Sequence, residues 1–228
     1  PEVVGLILEI NSGGGGITAS DILYEALLQF KDQDPERRIV AVFGDVAASG
    51  AYYIAMAADY IIAHPTTITG SIGVLLQTLN FKTLGDKIGV RDVTIKSGLN
   101  KDMLNPLQDV SPEHTNLLQD VVDQLHTRFV NLVAEGRDMP ESEVRAIADG
   151  RIFSADDALK LKLVDELGYW QDAQDKLAEL LNVESVKVYR YEEAFSLSSL
   201  FQAAAALPRT ARAALESHPR LLYQWQAP

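Results

Sequence analysis

The sequence predicts an α/β fold, a parallel sheet covered by helices, followed by a helical C-terminal extension. Three observations carry that prediction. Apolar, β-branched runs of strand length alternate with stretches of helical spacing through the first half, and the second half is mostly helical in pattern. Strands that alternate with helices imply right-handed crossovers and parallel pairing. The 228 residues, 47% hydrophobic and 23% charged, supply enough apolar material for one good core.

Taken in order, Val3-Val4-Gly5-Leu6-Ile7-Leu8-Glu9-Ile10 reads as a strand too apolar for a sheet edge. Its abrupt start leads us to expect a further strand of the fold upstream of Pro1. A helix is expected over 18–31, a buried strand over 38–43, a helix over 50–58 and a third strand over 59–63. After Pro65, a helix is expected at 80–88 and a strand at Arg91–Ile95. Pro112 suits a first helical position, and Leu117, Leu118, Val121, Val122, Leu125 and Phe129 continue at helical spacing to about Ala134. A shorter helix follows from Pro140 to Ala148, and Ser154-Ala155-Asp156-Asp157 reads as a capping box for a helix over 156–161. Val183–Tyr191 reads as a last strand, and Phe195–Leu207 with Ala211–Leu222 as an Ala/Leu-rich helical pair broken at Pro208. We therefore expect a core over 1–181 and an extension over 182–228. Arg209, Arg212 and Arg220 flank apolar positions there, which fits a contact with another subunit or a membrane surface.

Composition excludes several classes of function. Twenty basic residues against 32 acidic give a net charge of −12, so phosphate backbones repel the chain and nucleic acid is not an expected partner. With no cysteine, disulfides, thiolate catalysis and Cys-built metal sites are ruled out. No apolar run approaches the ~20 residues of a membrane span.

Chemistry concentrates in the loops that follow strands. In an open parallel sheet such loops gather at one crevice. The central one is Gly44-Asp45-Val46-Ala47-Ala48-Ser49-Gly50-Ala51-Tyr52-Tyr53, where a strand enters, a helix leaves and Ser49 carries the one hydroxyl at the bend. An anion forming near that hydroxyl meets the unpaired amides of the helix start, which suits acyl transfer; the competing reading is an N-capping serine in a tight turn. Asn11-Ser12-Gly13-Gly14-Gly15-Gly16 places four glycines after the first strand, so that its amides can converge on an oxygen. Phosphate cradling and a merely flexible loop are the competing readings, and with neither G-x-G-x-x-G nor Gly-Lys-Ser/Thr spacing present the nucleotide signal is weak. Thr69-Gly70-Ser71-Ile72-Gly73-Val74 is a third small-residue loop. Lys96 and Lys101 then lie close together in Lys96-Ser97-Gly98-Leu99-Asn100-Lys101-Asp102-Met103, and a desolvated lysine can serve as a neutral base for a serine. Each lysine alone reads more readily as a solvated surface charge than as a base. His64, His114, His126 and His218 lie in contexts that explain them without a Ser-His-Asp triad.

Together, Asn11-Ser12 with Gly14-Gly15, Ala47 through Tyr53, Ala57-Ala58-Asp59, Thr69 through Val74, and Lys96-Ser97-Gly98 with Lys101-Asp102 resemble the bacterial signal peptide peptidase A family, in order, over about residues 5–170. The resemblance implies a caseinolytic protease/crotonase-like fold and a Ser–Lys serine protease acting on cleaved signal peptides, with no cofactor. It implies Ser49 as nucleophile and Lys101, preceding Asp102-Met103, as general base. Ser71 would orient the amine, and the amides of Gly14, Gly15 and Gly50 would hold the oxyanion. It further implies a homo-oligomeric ring at the bacterial cell membrane, with an extracytoplasmic (periplasmic) catalytic domain and an N-terminal anchor outside this sequence. Gly13 departs from the pattern, standing where the family usually has proline, which leaves a looser loop. Alternatives at the same level are a phage prohead protease of the same family, a crotonase-like acyl-CoA enzyme using the glycine amides on an enolate, and a non-catalytic membrane scaffold.

Overall fold

The computed structural model describes residues 3–190 and the backbone of 220–224. In chain order the elements are β1 (Gly5–Ser12), β2 (Gly14–Gly16), α1 (Ile17–Asp32), β3 (Arg38–Ala48), α2 (Gly50–Ala55), β4 (Tyr60–Ala63), β5 (Ile68–Gly70), β6 (Leu75–Gln77), α3 (Lys82–Ile88), α4 (Pro112–Gly136), α5 (Glu141–Ile147), β7 (Ile152–Ser154), α6 (Ala155–Lys160), β8 (Glu166–Leu167), α7 (Trp170–Leu180) and β9 (Arg220–Gln224). They divide into two compact units. One comprises 1–75, 120–187 and 221–228, and the other 76–119 and 188–220.

The larger unit is an α/β sandwich around β3. Its first half pairs in parallel with β1 and β4, its second half with β5, and β8 extends β4 in parallel. The exception to parallel pairing in this sheet is β7, which runs antiparallel to β5. Because side chains alternate across a strand, the run Ile39–Phe43 feeds two cores, as expected of a strand covered on both faces. Ala41 and Phe43 join Tyr52, Tyr53, Phe129, Val130 and Ile72 on one side. Val40 and Val42 meet Ile62, Ala173 and Leu177 on the other. Burial of each Val, Ile or Leu side chain contributes about 1.5–3 kcal/mol, so β3 is fixed from both faces before any polar contact is counted. Short-range polar contacts then lock the strand ends. Asp59 accepts from Ile39 N at 2.7 Å, and Asp165 accepts from Ile61 N at 2.7 Å while chelated by Arg137 at 3.0 and 2.6 Å.

In the smaller unit, α3 is followed by a long irregular segment. The strand expected at Arg91–Ile95 does not form: Val93 and Ile95 are 87% and 98% exposed, and no partner strand accompanies them among the described residues. Asp92 instead gathers the segment, accepting from Thr94, Asn105 and Gln108. Helix α2 stops at Ala55 rather than 58, because Ala57 and Ala58 donate to Ile54 and Ala55 in tighter i→i+3 turns. Residues 183–190 hold no strand. The two helices expected over 195–207 and 211–222 lie outside the described residues, except that 220–222 run in β9 rather than a helix.

Candidate active site

The turn after β3 bends sharply at Ser49. Its φ of 56° and ψ of −121° lie where an L-residue other than glycine is strained, at a cost of roughly 1–3 kcal/mol. Strain of this kind at a strand-to-helix junction is a feature of nucleophile elbows. Ser49 occupies the N-cap position of α2, but its side chain makes no capping hydrogen bond, so the hydroxyl is not spent as a helix cap. Its backbone is satisfied in another way: the Ser49 amide donates to Gly70 O at 2.8 Å, and its carbonyl accepts from Tyr53 N at 2.9 Å. The residue is 1% exposed.

Ser71 lies beside it for a reason that register makes explicit. Ala48 pairs with Gly70 at the end of the β3–β5 ladder, so Ser49 and Ser71 are the next residues on adjacent strands. Thr69 Oγ1 donates to Ala47 O at 2.6 Å and Thr67 Oγ1 to Gly44 O at 2.7 Å, fastening β5 to β3 just before the two serines. Ser71 also has a positive φ, 51°, and its amide donates to Arg151 O at 2.8 Å. Gly70 is obligatory in this geometry: with φ at +85°, a Cβ there would stand 2.5 Å from Phe153 Cδ2.

Of the proposed oxyanion donors, Gly50 begins α2 directly after Ser49 and is buried. Gly14 and Gly15 lie in β2, which is a short strand rather than an open loop and pairs antiparallel with β9. Gly14 has φ 98°, and its amide donates to Ser12 Oγ at 3.1 Å. Nothing lies within 4 Å of where a Cβ would project from Gly15 or Gly16, so that side is open.

The lysines are in the smaller unit. Lys96 Nζ donates to Asp102 Oδ1 at 2.6 Å and to Leu99 O at 3.3 Å. Its hydrogen bond holds the Asp102 carboxyl below its ordinary pKa, so this ammonium is committed to an ion pair. Lys101 is exposed on the turn after Gly98, its amide donates to Gly98 O at 3.2 Å, and its amine enters no ion pair among the described residues. The pairing is a physical difference between two lysines that residue type and spacing alone left equivalent and that only the family resemblance had told apart. His64 Nδ1 bonds Thr66 Oγ1 and His114 Nε2 bonds Asn100 Oδ1, so neither ring is partnered with a serine nucleophile. No group of three or more His, Asp or Glu among the described residues is placed to hold a metal ion. No helix of the described residues is long and apolar enough to cross a membrane.

Sequence reasoning missed one hydrogen bond and one three-residue polar cluster around this turn. Asn11 Oδ1 accepts from Val46 N at 3.1 Å, and Tyr53 donates from its hydroxyl to Asp21 Oδ1 at 2.6 Å while Arg128 donates to both. The only advance signal was a polar Asn at the end of an apolar strand and two tyrosine hydroxyls in a helix otherwise made of small and apolar residues.

Comparison with known proteins supports the family resemblance. Residues 31–184 match the model of peptidase family S49, a span that contains Ser49, Ser71 and Lys101 and begins after the glycines. The chain is 41% identical over 190 residues to a putative signal peptide peptidase SppA of Enterococcus faecium, covering 83% of this chain and 55% of that protein. It is 34% identical over 163 residues to the chloroplastic serine protease SPPA of Arabidopsis thaliana, covering 71% of this chain and 24% of that one. The chain thus spans about half the length of the first relative and a quarter of the second. Among solved structures, a ClpP1 mutant from Listeria monocytogenes superimposes with a TM-score of 0.48 at 16% identity, over 75% of this chain and 78% of that one.

Proposed function

We propose that this chain, which belongs to peptidase family S49 and so carries the domain of a serine protease, is an endopeptidase whose nucleophile is Ser49 and whose general base is Lys101. The observation that carries the reading is the elbow. A buried serine held at φ 56° whose hydroxyl does not cap its helix stores strain that a merely structural turn would shed by using glycine.

In the proposed reaction, Ser49 Oγ attacks the scissile carbonyl carbon while the neutral Lys101 amine takes its proton. Ser71 Oγ bonds that amine and directs its lone pair. The carbonyl oxygen becomes an oxyanion, held by the amides of Gly50 and of Gly14 or Gly15, with each such donor worth about 10²–10³ in rate. Collapse expels the peptide amine, which recovers the proton from Lys101, and leaves an ester on Ser49. Water deprotonated by Lys101 then cleaves that ester. For Gly14 to serve, its amide must exchange Ser12 Oγ for the substrate oxygen.

The substrates we propose are short, extended, apolar peptides such as cleaved signal peptides, in keeping with the name of the Enterococcus relative. A core over 1–181 with an oligomer-forming extension over 182–228, a homo-oligomeric ring, and a membrane-associated extracytoplasmic location complete the proposal. Against a crotonase-like reaction stands the strained Ser49, which enolate stabilisation does not need. The test is labelling with a fluorophosphonate and hydrolysis of an apolar reporter peptide. Ser49→Ala should abolish both, and Lys101→Ala should lower turnover at least about 10³-fold while the protein stays folded by circular dichroism. Retained hydrolysis by Lys101→Ala would move the base to Lys96 or another group.

A further inference from the structure

The glycine segment that supplies two of the proposed oxyanion donors is short, is paired with β9, and is open where a Cβ would project from Gly15 and Gly16. It must nevertheless stay in fixed phase with Ser49, because a misplacement near 1 Å costs about 10²-fold in rate. The structure offers a device for this at each end.

Before the glycines, β1 and β3 pair one-to-one from Gly5↔Arg38 to Ile10↔Phe43, and then the register jumps to Ser12↔Ala47. Over that step β1 advances from 10 to 12 while β3 advances from 43 to 47, so β3 carries two extra residues in a bulge. Asn11 sits opposite the bulge and its Oδ1 accepts from Val46 N at 3.1 Å. Gly44 makes the room: a Cβ on it would lie 3.1 Å from Asn11 Cβ and Cγ. Without the bulge Ser12 would face Asp45, and the glycines would shift by two residues, about 6.6 Å at 3.3 Å per residue, relative to Ser49.

After the glycines, α1 begins at once, with Ser20 Oγ donating back to Gly16 O at 3.1 Å. One residue on, Asp21 Oδ1 accepts from Tyr53 OH and from Arg128, each at 2.6 Å. Tyr53 is the residue whose amide holds the Ser49 carbonyl, and its ring is clamped by Tyr24 and Phe129 at centroid distances of 5.6 and 5.2 Å.

We propose that Asn11 and Asp21 are positioning residues, which pin the two ends of the glycine segment to the polypeptide on either side of Ser49. The inference rests on Ser49 as nucleophile and on the glycine amides as oxyanion donors. Neither side chain need touch substrate; both act through the placement of the amides.

The experiment uses the full chain and compares Asn11→Leu, which has similar bulk and no acceptor, with Asn11→Asp, which keeps one, and Asp21→Leu with Asp21→Asn on the same logic. Steady-state hydrolysis of the reporter peptide, fluorophosphonate labelling rate and thermal unfolding are measured on each. Both leucine variants should lose about 10- to 100-fold in kcat and in labelling rate with KM within about threefold, and the acceptor-keeping variants should recover most of it. Loss of kcat no greater than the loss of folded fraction, or equal loss in the conservative variants, would overturn the proposal. Should Asn11→Leu fail to fold, the Asp21 pair decides the outcome alone. A failure of the underlying reading looks different, since the unaltered protein itself would then escape labelling at Ser49.

Discussion

Ser49 carries its functional signature in the backbone rather than the side chain. A φ of 56° costs a serine roughly 1–3 kcal/mol and costs glycine almost nothing, so the site holds a residue that is wrong for its conformation. Ser49→Ala and Ser49→Gly should therefore separate two effects that usually travel together. Both abolish the proposed chemistry, but alanine keeps the strain, leaving stability within about 0.5 kcal/mol, whereas glycine should raise stability by about 1 kcal/mol. Denaturant midpoints of the two variants measure the difference; equal midpoints would mean that the turn is not strained in solution. The same reasoning separates the lysines. Lys96 is bonded to a carboxylate with 8% of its side chain exposed, so its charge has a structural partner, whereas Lys101 has none among the described residues.

Elements meet at Asp21, where α1, α2 and α4 are joined by one carboxylate, one phenol and one guanidinium. The hydrogen bonds from Tyr53 and then from Arg128 hold the Asp21 carboxyl below its ordinary value of 3.8, while burial pushes the Tyr53 phenol up. A depressed carboxylate pKa means the folded state binds the proton more weakly than the unfolded chain. This contribution to stability is whole above pH 3.8 and is lost as pH falls through the lowered folded value. Asp21→Asn should remove that part of the acid dependence, seen as a smaller loss of thermal stability between pH 6 and about pH 3 than in the unaltered protein. An unchanged acid profile would mean that the three elements are not joined through this charge. None of this network was legible beforehand, because Asp21, Tyr53 and Arg128 are brought together by tertiary packing across more than a hundred residues. What sequence did reveal were elements whose cause is local. The alternation of apolar runs marked β1, β3 and β4, Pro112 marked the start of α4, and Ser154 does accept from Asp157 N as a capping residue should. Arg91–Ile95 misled because its β-branched residues satisfy strand propensity without a neighbour among the described residues to pair with. The serine turn could be picked out, but its strain could not, since nothing in Ala-Ala-Ser-Gly encodes a positive φ.

At the scale of the larger unit, the sheet separates two cores with different duties. The face bearing Tyr52, Tyr53 and Phe129 carries α2 and so sets the Ser49 turn, while the opposite face is closed by α7 against Val40, Val42 and Ile62. β3 belongs to both, but alternation sends its odd and even residues to opposite sides, so damage on the α7 face reaches the serine only through strand position. Leu177 on α7 is 4% exposed and packs so close that a Cβ on Gly5 would come within 2.9 Å of its Cδ1. Leu177→Ala should cost about 2–4 kcal/mol through lost burial and the cavity left behind. Because β3 and β4 stay fixed from the other face, kcat per folded molecule should remain within about twofold, measured by peptide hydrolysis well below the unfolding midpoint. An equivalent truncation on the α2 face, Val130→Ala, removes fewer atoms and should cost less stability, yet it loosens the core cluster that Val130 shares with Tyr53 and should lower kcat further than Leu177→Ala does. Equal kcat in the two variants would mean that the packed face beneath α2 does not tune the nucleophile. A larger kcat loss in Leu177→Ala would mean that the sheet passes strain between its faces.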